Sequence, residues 1–160
     1  MAAITWTETL ALQQPRMDTT HREFVDLLNT VEHALEGPVQ ALKAALDRFT
    51  EHTEEHFAQE DAWMAQLGFA TENCHGFQHQ SVLQVVQEVQ RRLHAEDNVG
   101  LVRELVPGLA EWFPVHAQSM DAALAMTMQE HGFDPEAGTF ANPVEQGAAP
   151  ITGCGSSSCS

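Results

Sequence analysis

Four stretches with apolar residues at helical spacing, short polar connections between them, and a last segment without periodicity predict an all-α protein. The expected architecture is an up-down-up-down four-helix bundle with an extended N-terminal arm and a largely irregular C-terminal tail. A chain of 160 residues has room for one such core and little more. Residues 1–131 are assigned to the bundle and 132–160 to a Gly/Pro/Ser-rich tail.

In the arm, Gln13, Gln14 and Pro15 discourage regular structure, while Ile4, Trp6 and Leu10 can lie across a core. Asp18 is the expected N-cap of the first helix, which runs to Glu36 and stops at Gly37-Pro38. Its stripe is Phe24, Val25, Leu28, Val31 and Leu35, with His21 one turn earlier on the same face. Pro38 opens the second helix as its first residue, and Gly68 ends it. Along that helix Leu42, Leu46, Phe49, Thr53, His56, Glu60, Trp63 and Leu67 step by fours and threes, so His56 and Glu60 lie in the core seam. The third helix, from about Asn73 to Leu93 or His94, carries His75, His79, Val82, Val86, Val89 and Leu93 in the same way. A turn over 95–100 leads to the fourth helix, with Leu105, Leu109, Trp112, His116, Met120 and Ala123 in phase; Pro107 and Pro114 should kink it. After His131 the helical period is lost.

The formal charge of -16 argues against nucleic acid and against an anionic membrane surface. No stretch approaches the roughly 20 apolar residues of a spanning helix, so no membrane insertion is expected. The three cysteines, Cys74, Cys154 and Cys159, are too few and too late to staple the domain, which fits a reducing, cytoplasmic compartment. Cys74 is expected to be a partly buried thiol. Cys154 and Cys159 are expected to be free thiols of an irregular terminus, with a redox-switchable disulfide or a soft-metal clip as the functional alternative.

All four helices therefore send a histidine inward: His21, His56, the pair His75 and His79, and His116. Glu60 and Asp121 add two carboxylates. Five imidazoles and two carboxylates exceed what one ion needs, and two metals bridged by the carboxylates fit better. One spacing is awkward, because His116 and Asp121 are five apart, about 140° around an ideal α-helix and about 7.5 Å along it. His52, one turn before His56, is the main competitor for a ligand role; His33, His94 and His131 fall at helix ends or outer faces.

The set His21, HFAQE (56–60), HGFQH (75–79) and HAQSMD (116–121), with MDTTH before the first histidine and Trp112 four residues before His116, resembles the hemerythrin family, specifically its bacterial members, over about residues 6–130. The resemblance implies two non-haem iron ions per chain, His75, His79 and His116 on one and His21 and His56 on the other. Glu60, Asp121 and an oxo or hydroxo group would bridge them. It further implies reversible dioxygen binding at the open position of the two-histidine iron, for carriage, storage or delivery. The shell of neutral imidazoles lacks the carboxylate-rich surroundings that drive O–O cleavage. Phe24, Leu28, Trp63 and Leu105 would wall the pocket. An oxygen or redox sensor using the same site and the Cys pair, or a di-iron nitric oxide or peroxide reductase, are the alternatives to a non-enzymatic binding protein. No protein partner is indicated, and a monomer is expected.

Overall fold

The computed structural model describes residues 2–142 and 149–151. It contains α1 (Pro15–Ala34), α2 (Val39–Gln66), α3 (Cys74–Glu96) and α4 (Val99–His116). A π-helical segment (Ala117–Asp121) then joins α4 to α5 (Ala122–His131). Each of α1 to α4 packs against its neighbour in sequence, and α1 closes the ring against α4. This is the expected four-helix bundle. Among the described residues no helix is long and apolar enough to cross a membrane.

The helices begin and end for identifiable reasons. Helix α1 starts earlier than the Asp18 cap implies, because Gln14 is the cap: its Oε1 accepts from the Met17 N–H at 2.9 Å and Pro15 follows as the first helical residue. Asp18 ties down the arm instead, its Oδ1 accepting from the Leu12 N–H at 2.7 Å. The arm is extended apart from a short 3₁₀ turn (Glu8–Leu10), and it buries Ile4 and Leu10. Asn29 pins it through both the N–H and the carbonyl of Ile4. Pro38 caps α2 rather than entering it, with extended backbone. Gly68, at φ 85°, turns the chain after α2 in a conformation that favours glycine. Asn73 caps α3 by accepting from the Gly76 N–H. The connection between α3 and α4 is shorter than 95–100: Asp97, in left-handed conformation, and Asn98 suffice, because Asn98 also caps α4.

Pro107 and Pro114 lie inside α4 without ending it. Each forfeits only one backbone bond. The tail is less irregular than expected at its start: β1 (Phe133–Asp134) pairs antiparallel with β2 (Thr139–Phe140), and Ile151 bridges to Phe69. Cys154 and Cys159 lie outside the described residues.

Two apolar clusters fill the interior. The larger contains Phe24, Leu28, Leu46, Phe49, Val86, Leu105 and Phe113. The smaller, at the other end, gathers Met17, Trp63, Met64, Leu67, Leu124 and Met128. Along α1, α2 and the α4–α5 rod, His21, His56 with Glu60, and His116 with Asp121 fall between the residues of one cluster and those of the other. Apolar packing thus closes the polar centre off at its two ends along the bundle.

Candidate metal centre

All seven expected ligands are buried: His21, His56, Glu60, His75, His79, His116 and Asp121 each expose 4% or less of their surface. Their ligand atoms form two groups, one of Glu60, His75, His79, His116 and Asp121, the other of His21, His56 and Glu60. Each carboxylate faces both histidine sets. Glu60 Oε1 lies 3.0 Å from His56 Nε2 and 3.5 Å from His21 Nε2, while Oε2 lies 3.4 Å from both His75 Nε2 and His79 Nε2. Asp121 Oδ2 lies 3.1 Å from His21 Nε2, while Oδ1 lies 2.9 Å from His75 Nε2 and 3.1 Å from His116 Nε2.

A cation fits this donor set. Adjacent ligands about 2.1 Å from one octahedral ion are about 3.0 Å apart, close to the separations found here. Two imidazole nitrogens, His79 Nε2 and His116 Nε2, approach to 3.2 Å. His21 Nε2, His75 Nε2, Glu60 Oε2 and both Asp121 oxygens are buried without a well-directed hydrogen bond. Orphaned polar atoms are costly in an apolar interior unless something outside the chain satisfies them.

The outer ring nitrogens and the ring faces are also held. His79 Nδ1 pairs with Asp61 Oδ1 at 2.9 Å, and His116 Nδ1 with Gln78 Oε1 at 2.9 Å. Donation from each Nδ1–H leaves the Nε2 lone pair free to bind. Phe57 stacks on His79 with centroids 4.1 Å apart, and Trp112 stacks on His116 at 4.4 Å. The edge of the His21 ring meets Phe113 at 5.2 Å, and Phe24 stacks on Phe113 at 4.4 Å. Asp61, Gln78, Phe57 and Phe113 were not anticipated. Asp61 and Gln78 each adjoin a ligand in sequence, but their partners lie on other helices, so only the inter-helix register reveals their roles. Of the expected walls, Phe24 lies 6.2 Å from the His56 ring, Leu28 and Leu105 belong to the larger cluster, and Trp63 to the smaller.

The awkward spacing of His116 and Asp121 is resolved by the π-helical segment rather than by a bend at Pro114. The Ala122 N–H bonds back to the Ala117 carbonyl, five residues away. A turn closed over five residues returns Asp121 to the face of His116. His52 does not join the centre; its Nε2 pairs with Glu23 Oε2 at 3.1 Å. Burial, reinforced by the neighbouring His56, holds its pKa below the ordinary imidazole value. His33 and His94 are exposed and His131 half-buried.

In the metal-free protein, protons balance the buried carboxylates. Burial disfavours the charged imidazoles, but the close approach of the Asp121 and Glu60 carboxylates outweighs it and raises His21 to about 10 and His75 to about 9. Burial likewise opposes ionisation of Glu60 and Asp121, yet the surrounding histidines hold both well below the ordinary range. The raised histidines stabilise the fold fully below 6.5 and lose that contribution as pH climbs through about 9 and then about 10. The depressed carboxylates stabilise above 4.5 and 3.8, and lose their contribution as pH falls through their lower folded values. His116, lowered chiefly by burial, acts in the opposite sense to His21 and favours higher pH. With the two large upward shifts dominating, chelator-stripped protein is expected to melt at lower temperature at about pH 10 than at about pH 6. An equal or higher midpoint at alkaline pH would contradict this charge balance.

A helical bundle with inward histidines in two groups, joined by carboxylates that face both, defines a metal-binding bundle protein. The family model described as the hemerythrin HHE cation binding domain matches residues 14–127. Bacteriohemerythrin of Ralstonia nicotianae is 40% identical over 134 residues, covering 84% of this chain and 95% of that protein. Bacteriohemerythrin of Pseudomonas aeruginosa strain PAO1 is 28% identical over 76% of this chain and 79% of its own. That of Stenotrophomonas maltophilia is 26% identical over 82% and 85%. The chain belongs to the hemerythrin family, alongside its bacterial members.

Proposed function

We propose that the protein binds dioxygen reversibly at a di-iron centre, for carriage, storage or delivery. The observation that carries this reading is that Glu60 and Asp121 each turn one oxygen toward the His21 side and the other toward His75. That is the arrangement of bridging carboxylates. In this reading His75, His79 and His116 hold one iron, His21 and His56 the other, and Glu60 and Asp121 span them. A pair of ferrous ions held there would supply the two electrons that reversible dioxygen binding requires.

The residues of the chain provide asymmetry and dryness. Two histidines on one side against three on the other leave fewer protein donors around His21 and His56. Phe24 and Phe113, both fully buried, pack against the His56 and His21 rings and keep water from that face of the pair. Asp61 and Gln78 fix the rings of the three-histidine side so that their Nε2 atoms stay aligned. The sensor and reductase readings use the same centre and differ in the step after binding. The small number of cysteines supports a cytoplasmic setting, and the end of α5 at His131 supports residues 1–131 as the bundle unit with 132–160 as its tail.

The test is an optical cycle. Iron-loaded protein, reduced without air, then aerated and purged, is expected to gain a visible absorption band with air and lose it on purging. A band that forms once and does not revert would overturn reversible carriage and leave the redox-sensing or reducing roles.

A further inference from the structure

A second cluster of metal-binding side chains leads from the surface to the centre. A pocket of about 220 Å³ between α1 and α2 has Glu23, His52, Glu55 and Gln59 around it and reaches His56 and Glu60. Glu23 and Glu55 are exposed at its mouth, His52 is half-buried, and His56 and Glu60 are almost fully enclosed. The α2 residues follow from spacing: positions 52, 55, 56, 59, 60 and 63 fall on one broad face. His52 lies midway, its ring 6.0 Å from that of His56, which in turn lies 5.1 Å from His21. Two of the pocket's buried atoms, His52 Nδ1 and His56 Nδ1, have no partner. Arg16, also at the pocket, is turned to an exposed ion pair with Glu136 at 3.4 Å, and among the described residues of the lining it is the one basic side chain against the carboxylates of Glu23, Glu55 and Glu60.

We propose that this pocket is the port through which divalent cations enter the centre, with Glu23, Glu55 and His52 as a staging site that passes the ion to His56 and Glu60. This rests on the di-metal reading of the centre. The chemistry of the lining decides the ligand class: carboxylates and imidazoles are donors for a hydrated divalent cation and give an apolar gas no advantage. The net charge of -16 draws cations to the protein, and the two exposed carboxylates of Glu23 and Glu55 concentrate them at the pocket. The His52, His56 and His21 rings follow one another at 6.0 and 5.1 Å between centroids, a line of imidazole donors running from the pocket to the centre. No covalent or redox change is involved, only exchange of water for side-chain donors and loss of protons from the histidines.

The test follows Co²⁺ uptake by chelator-stripped full-length protein, read by the visible absorption of bound cobalt after rapid mixing. The double variant Glu23→Gln/His52→Leu is expected to fill about tenfold more slowly than the unaltered protein but to the same final content. Glu55→Lys removes no packing and places a cation at the mouth, so it should slow filling as well. Glu104→Gln, an exposed acid on α4, serves as the control and should fill at the original rate. Helical circular dichroism establishes that each variant is folded. Filling of both pocket variants at the control rate would overturn the port while leaving the metal centre intact. Failure of the unaltered protein to bind Co²⁺ at all would overturn the centre and the port together.

Discussion

Glu60→Ala is expected to empty both halves of the metal centre and to destabilise the metal-free protein. Glu60 is 1% exposed, and its two oxygens lie within 3.5 Å of four imidazoles: His21, His56, His75 and His79. Removing it deprives each half of a donor and of a negative charge. It also leaves His21 and His75 with one carboxylate, Asp121, where two had raised their pKa values. Removing one partner of a buried charged network typically costs about 3–5 kcal/mol, because the remaining charges stay in a low-dielectric interior. Partial deprotonation of the histidines would relieve some of that cost, so the destabilisation should be larger at about pH 6, where the raised His21 and His75 still contribute in the unaltered protein, than at about pH 9. Metal content by emission spectrometry and thermal melts with and without chelator provide the readout. Glu60→Gln keeps the shape but presents one acceptor oxygen in place of two, so it should retain more stability than alanine while still failing to bridge. If Glu60→Ala kept the full metal content, Asp121 alone would be joining the halves and the assigned role of Glu60 would be wrong.

This sensitivity also explains why most of the centre was legible in the sequence. His56 with Glu60, and His75 with His79, are four apart on helices whose apolar residues fix the buried face. Spacing alone then places their side chains in one volume. His21 is legible for the same reason, one turn from Phe24 and Val25. The hidden features depended on contacts between helices or on departures from α geometry. The pairing of Asp61 with His79 requires the register of α2 against α3, which no single-helix pattern contains. The start of α1 was misplaced because Asp18 is a stronger cap by type than Gln14, yet the Asp18 carboxylate is needed by the Leu12 N–H, and Pro15 already supplies a helical φ. The stripe expected to run from Met120 to Ala123 is displaced, since Leu124, Ala125 and Met128 are buried in place of Ala123. The residue of offset is absorbed by the π-helical segment.

That offset yields the second large effect. Because the Ala122 N–H bonds to the carbonyl five residues back, the π-helical segment accommodates one residue more than an α-helical turn while keeping α4 and α5 in phase. Deleting Ser119, which is exposed and whose hydroxyl donates only to the Val115 carbonyl, would leave His116 and Asp121 four apart. Four residues of regular α-helix also bring two side chains to one face, about 6 Å apart along the axis. The deletion is therefore expected to keep the bundle and the placing of both carboxylates between the two histidine groups, and with it the metal content. Inserting an alanine between Gln118 and Ser119 should do the opposite. With His116 and Asp121 then six apart, the carboxylate would sit about 240° around a regular helix from its present partner. Leu124, Ala125 and Met128 would rotate with it, away from Trp63 and Met64 in the smaller apolar cluster. Loss of the Asp121 bridge and of that packing is expected to remove metal from both halves and to lower the melting midpoint sharply, while α1 to α3 keep their own apolar stripes. Metal content and melting of the two variants side by side decide the matter. An insertion variant with undiminished metal would show that the convergence of His116 and Asp121 does not depend on the length of the π-helical turn, and a deletion variant without any would show that a four-residue α-helical turn cannot take its place.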